Sequence, residues 1–175
     1  MQEMAEVSAT QSHAAALASQ AFDQCLTFIL GNESYGIDIL RVQEIRGWEK
    51  TTNLPGVPAY VKGVINIRGA VVPIVDLRER FEIGQATYDD STVVIIVKVD
   101  TDVQARDAEK TVGLVVDAVS DVEDIDFASL QNAPSFRSGE RVSDEFIKGL
   151  ASLEDKMVIV LDVNKLLNQG VFHNL

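Results

Sequence analysis

Apolar residues along this chain fall in short, β-branched runs separated by turn-forming residues, a pattern that predicts strands. Residues 1–21 are polar and Ala-rich with no strand period, and read as a mobile tail. A first strand is predicted at Cys25–Leu30, and the Gly-Asn-Glu-Ser turn leads into a second at Tyr35–Leu40, making a hairpin. Thr51–Pro58 carries Pro55, Gly56 and Pro58 and reads as a loop. Val64–Ile67 and Ala70–Val75 should pair through a tip at Arg68-Gly69. Pro73 lacks an N–H, so its strand is expected at an edge or bulged at that point. Asp76 is placed to cap a helical turn over Leu77–Phe81, with Glu79 at the reciprocal position of a capping box. Val93–Val99 is nearly all apolar, so both its faces should be buried. Asp100–Lys110 reads as a charged loop, Val112–Val122 as a strand region, and Asp126–Glu145 as mostly loop. Met157–Asp162 is a further strand, and a terminal helix begins at Asn164–Asn168 with Gly170 as its C-cap.

The pattern repeats. A shift of 86 lays Val61–Phe81 over Ile147–Leu167 without a gap, with Lys62/Lys148, Gly63/Gly149, Val72/Val158 and Asp76/Asp162 identical. A shift of 77 lays Tyr35–Ile45 over Val112–Val122. Matching apolar positions alone would arise by chance between β-rich segments; the fixed Lys-Gly and Asp offsets do not, and they point to a duplication. Each half supplies about five short strands, too few for a sandwich and enough to close a small barrel. Two such barrels would leave a groove between them, a natural place for a binding site.

Composition narrows the function. The 175 residues are 46% hydrophobic, enough for a core, and carry a formal charge of −12. Such a charge disfavours nucleic acid and anionic membrane surfaces, which reward clustered cations. The first basic residue is Arg41, so residues 1–20 lack the positive start of a secretory signal, and nothing approaches a bilayer-spanning apolar run. A cytoplasmic protein with no membrane insertion is expected. Between Arg41 and Arg80, seven bases face four acids, either as solvated scatter or as a partner surface. Cys25 is the single cysteine and reads as a buried apolar thiol.

No catalytic constellation emerges. The two histidines, His13 and His173, lie near the chain ends, and neither GxGxxG nor GxxxxGK[ST] occurs. Asp117–Asp126 is acid-rich but lacks the glycine and final glutamate of a calcium loop, and reads as a solvated strand edge. No metal, cofactor or active site is expected. Interest passes to polar residues in apolar surroundings. Glu44 and Arg68 serve either as solvated turn residues or as a charge pair at a recognition surface, with Arg offering planar donors to a partner or to Glu44 itself. Ile39, Val42 and Ile45 are expected to form an apolar strip facing an amphipathic partner helix. Gly63 and Gly149 share one repeat position, where a positive φ or a close backbone approach is expected.

Four segments, Leu26–Gly47, Val61–Phe81, Val112–Val122 and Lys148–Leu167, resemble the CheW family of chemotaxis coupling proteins in sequence, order and spacing. The similarity runs from about Phe22 to Asn168. The resemblance implies an all-β fold of two pseudo-symmetric five-stranded Src-homology-3-like barrels with short helices. It implies a tail at 1–21, one domain at 22–168 made of interlocked barrels (roughly 32–90, and 22–31 plus 91–168), and a C-terminal tail at 169–175. It also implies a non-enzymatic adaptor between the regulatory domain of a chemotaxis histidine kinase and the cytoplasmic tips of chemoreceptors, recruited to membrane-associated arrays. The positions matching the family's coupling residues are Val42, Glu44, Gly63, Arg68, Gly113, Val119 and Val122, to which the strip adds Ile39 and Ile45. Two rival readings remain: an enzyme with an inter-barrel site, which needs a titratable cluster, and a polyproline reader, which needs an aromatic groove that Trp48, Tyr35, Tyr60 and Tyr88 are too dispersed to make.

Overall fold

The computed structural model describes residues 22–84, 87–100, 109–134 and 146–170. The expected N-terminal tail, most of the Asp100–Lys110 loop, residues 135–145 and both histidines lie outside them. The described residues form ten strands: β1 (Asp23–Leu30), β2 (Glu33–Asp38), β3 (Val42–Gly47), β4 (Val61–Ile67), β5 (Ala70–Asp76), β6 (Val93–Asp100), β7 (Glu109–Val116), β8 (Ala118–Ile125), β9 (Ile147–Ser152) and β10 (Met157–Leu161). Two helices follow hairpins: α1 (Leu77–Arg80) after β5 and α2 (Val163–Gly170) after β10. The Asp76 carboxylate caps α1 by accepting from Arg78 N at 2.9 Å. Glu79 does not complete a capping box; it binds Lys62 Nζ at 2.6 Å instead.

Hydrogen bonding sorts the strands into two five-stranded sheets, β8-β1-β2-β10-β9 and β3-β6-β7-β5-β4, each curled into a barrel. Residues 42–116 build the second barrel; residues 23–38 and 118–161 build the first. This corrects the division into 32–90 and 22–31 plus 91–168. The hairpins β1–β2 and β6–β7 each stay paired along their length, so the chain changes barrel only after β2 and after β7. A 3-10 turn at Ile39–Arg41, capped by Asp38, makes the first crossing, and Asp117 makes the second. Tyr35–Leu40 therefore stops being a strand at Asp38, and Val112–Val122 breaks in two at Asp117. Pro73 is tolerated because β7 pairs with β5 only from Ile74 onward, leaving that side of Pro73 without a neighbour.

The duplication is written into the register. Val61↔Val75, Gly63↔Ile74 and Ile65↔Val72 recur 86 positions on as Ile147↔Leu161, Gly149↔Val160 and Ala151↔Val158, with a bulge at Lys62 and at Lys148 alike. Thr52 bridges Val64 as Gln131 bridges Leu150. The shift of 77 carries β2 and β3 onto β7 and β8, and a shift of 69 carries β1 onto β6, so that Thr27↔Gly36 becomes Ile96↔Gly113. The two sheets then have one strand order. Each barrel thus combines the first two strands of one repeat with the last three strands of the other.

β6 is buried on both faces, as its apolar run predicts. Val94 and Ile96 face an inner core with Ile65, Ile67, Val72, Ile74 and Val115. Cys25, Ile125, Ala151, Val158 and Val160 are the counterpart in the first barrel. On its other face β6 sends Ile95, Val97 and Val99 into a central core shared with Phe28, Leu30, Ile37 and Leu166. Each such side chain contributes roughly 1.5–3 kcal/mol on burial, so this shared core is the main tie between barrels. Among the described residues, this core fills the interior where the two barrels meet.

Candidate functional site

β3 is an end strand of the second sheet, and a bulge at Gln43 sets which way its side chains point. Val42 pairs with Val97 and Ile45 with Ile95, putting both on the face that looks to the central core. Glu44 pairs with Ile96 and Arg46 with Val94, on the opposite face. There the Glu44 carboxylate accepts from Arg46 Nη1 at 3.0 Å and from Arg68 Nη2 at 2.9 Å, while Arg46 Nη2 donates to Glu49 at 3.3 Å. The hydrogen bonds from Arg46 and then Arg68 hold the Glu44 carboxyl below its usual range. The network is therefore intact above the ordinary carboxylate pKa and is lost only as pH falls through the lowered value.

The Arg68 contact ties the β4–β5 tip to β3, joining the two ends of the second sheet. Lys156, in the β9–β10 turn, closes the first barrel in the same way, 3.2 Å from Glu123 on β8. Arg68 sits at φ 50° and Gly69 at φ 86°, a tight turn with two positive φ values. A non-glycine residue in that conformation costs on the order of 1 kcal/mol, and Asn would suit the turn better. The Arg68 side chain is nonetheless 76% exposed. Its guanidinium, a planar donor, is held by the Glu44 carboxylate at 2.9 Å.

Apolar candidates divide by burial. Ile39 and Val42 are partly buried and pack on the central core, whereas Ile45 is 48% exposed. The expected strip is corrected accordingly: of the three, Ile45 offers open apolar surface. Leu40, 87% exposed in the first crossing, follows Ile39 in sequence and carries no motif that would have marked it. Arg46 is also part of the network; its spacing of two from Glu44 on a strand was the readable sign. On β8, Val119 packs on the central core and Val122 is 44% exposed. They are the 77-shifted counterparts of Val42 and Ile45, on the other sheet, so the candidates form two related sets.

A family model described as the CheW-like domain matches residues 24–171. The chain belongs to the CheW-like domain family. It is 43% identical over 143 residues to the chemotaxis protein CheW of Klebsiella aerogenes, spanning 82% of this chain and 80% of the relative. It is 31% identical over 147 residues to the chemotaxis protein CheW of Bacillus subtilis, spanning 84% and 88%. Among solved structures it is similar to the scaffolding protein CheW of Thermoanaerobacter tengcongensis, with a TM-score of 0.71 and 31% identity over 85% of this chain and 89% of that one.

Within this CheW-like fold, Gly63 and Gly113 are buried and present no contact surface. At Gly63, φ is 120° and an added Cβ would collide with the Thr52 carbonyl oxygen. At Gly113 it would meet Ile74 Cδ1 at 2.5 Å. Substitution at either acts through the fold. Gly149 shares the close approach of Gly63, with Leu130 Cβ at 2.6 Å, but not its positive φ. The basic excess between Arg41 and Arg80 is largely satisfied internally: Arg41 pairs with Asp100 at 2.7 Å, Lys62 with Glu79, and Arg80 lies over the Tyr60 and Phe146 rings. Arg78 is buried, bonded to Asp76 at 3.0 Å and Asp117 at 2.9 Å. Asp117 in turn accepts from Gly31 N at 2.7 Å, so this network links the second barrel to the β1–β2 turn of the first. Among the described residues no group of three His, Cys, Asp or Glu could hold a metal ion, and no helix is long and apolar enough to cross a membrane.

Proposed function

We propose that this chain is a non-enzymatic chemotaxis adaptor that couples the regulatory domain of a chemotaxis histidine kinase to the cytoplasmic tips of chemoreceptors, in arrays on the cytoplasmic side of the membrane. Family membership supports the reading, since relatives are named chemotaxis proteins and a solved neighbour is a scaffolding protein. The observation that carries it is Arg68, exposed at a strained backbone position and aimed by Glu44. Exposed ion pairs contribute only about 0–1 kcal/mol to stability, so the fold alone is a weak reason for that arrangement. An arginine at a contact centre can be worth about 2 kcal/mol or more, roughly thirtyfold in affinity. Ile45 and Val122 supply apolar surface on the end strands β3 and β8 for the same purpose. Titratable side chains of the candidate site are engaged in pairs that fix strands, which suits binding and supplies no poised nucleophile.

The test is retention of purified kinase and receptor fragments by wild type and Arg68→Ala, with a thermal melt of each. Arg68→Ala is expected to melt as wild type and to lose at least tenfold in retention of one partner. Normal binding of both partners would show that this hairpin is not the contact.

A further inference from the structure

Because the chain is duplicated, each barrel is a control for the other, and the two differ at one mouth. In the second barrel Trp48 follows β3; its N donates to Thr92 O at 3.1 Å, its side chain packs on the inner core, and its ring stacks on Tyr88 at 4.2 Å. The shift of 77 puts Ile125 at this place in the first barrel, paired with Asp23, the counterpart of Thr92. Beside it, Ala151 stands where the second barrel has Ile65. Both replacements are smaller, and a cavity of about 290 Å³ opens there. Phe22, Ile125, Leu130, Ala151 and Leu153 give it apolar walls, and among the described residues Asp124 and Asp126 stand in its lining with no lysine or arginine. Asp126 is fixed by accepting from Ala128 N at 2.9 Å and Ser129 Oγ at 2.6 Å; among the described residues Asp124 has a 3.5 Å contact with Gln24 alone.

We propose that this cavity docks an aromatic side chain presented on a lysine- or arginine-flanked extended segment of a partner protein. The second barrel supplies the argument for the occupant, since it fills the equivalent mouth with its own indole. The acidic lining supplies the argument for the flanking cations, in a chain of net charge −12. The cavity is near the lower end of the usual range for binding pockets, roughly 300 Å³, a size suited to one ring. It opens on the inner-core side of the first barrel, whereas Val119 packs toward the central core, so it is separate from the candidate site described above.

The experiment is a titration with a dye-labelled peptide, Gly-Lys-Trp-Lys-Gly, and its Gly-Glu-Trp-Glu-Gly counterpart, followed by anisotropy and by amide shifts of Ser129, Gln131 and Ser152. The double replacement Ile125→Trp with Ala151→Ile gives the first barrel the pair that the second already accommodates. The lysine peptide should bind wild type at least tenfold more tightly than the glutamate peptide, and at least tenfold more tightly than it binds the filled variant. Absence of binding, equal affinity for both peptides, or unchanged binding to the filled variant overturns the proposal; equal affinity would mean a pocket for neutral apolar ligands. Should the double replacement fail to fold, Asp124→Lys on the exposed rim must abolish the preference for the lysine peptide. The titration contains neither kinase nor receptor, so its failure leaves the adaptor reading untouched.

Discussion

Arg68 occupies a backbone conformation that favours Asn or Gly, and its side chain reaches back to Glu44. Arg68→Asn gives the hairpin the Asn-Gly pair such turns prefer, so stability should hold or rise by up to about 1 kcal/mol while partner binding falls. Parallel losses of stability and binding would contradict this. Cys25 is fully buried, and burial first, then the charge of Asp38, pushes its thiol from 9.0 up to about 12. A pKa raised on folding means that the associated stability is fully present below the unfolded value and is lost as pH climbs from about 9 toward 12. At pH 8 the native thiol should react with a disulfide reagent at least tenfold more slowly than in denaturant. Equal rates would show that Cys25 is accessible.

The end strands β3 and β4 are held together at Glu44 and Arg68, and this contact separates a structural from a functional role. A double-mutant cycle of Glu44→Ala and Arg68→Ala should give a stability coupling below about 1 kcal/mol, with a larger coupling in partner binding. A stability coupling as large as the binding coupling would assign the pair to the fold. Hairpins, the Asp76 cap and the repeat were legible in the sequence because their signals are local or self-similar. β3 was not. The bulge at Gln43 puts Val42 and Ile45 on one face three residues apart, so Val42–Gly47 shows no alternation. Nor could local pattern reveal that β3 pairs with β6 and β8 with β1, contacts that decide which barrel each strand joins. At the site, the hairpin-tip arginine was readable, but the burial of Val42 was not, since a valine on an end strand looks the same whichever side the core lies on. The cavity beside Ile125 becomes readable only when Trp48 and Ile65 are set against Ile125 and Ala151.

At the scale of the molecule, the central core draws side chains from both barrels, and the Arg78–Asp117–Gly31 chain crosses between them. The barrels should therefore unfold together, in one calorimetric transition with matching calorimetric and van't Hoff enthalpies. Arg78→Ala leaves the fully buried Asp76 without its cation and should move that whole transition, costing about 3 kcal/mol or more. Two resolved transitions, or a shift of only one part, would contradict a shared core. Joined in this way, the barrels can present β3 and β8 to partners in fixed relation, as an adaptor requires. The most direct measurement is sedimentation of a kinase regulatory domain with receptor-bearing membranes, in the presence and absence of this protein. The account predicts that the kinase domain pellets only when the protein is added and that Arg68→Ala lowers the pelleted fraction. Equal pelleting without the protein, or a protein that stays in the supernatant with both partners present, would contradict it.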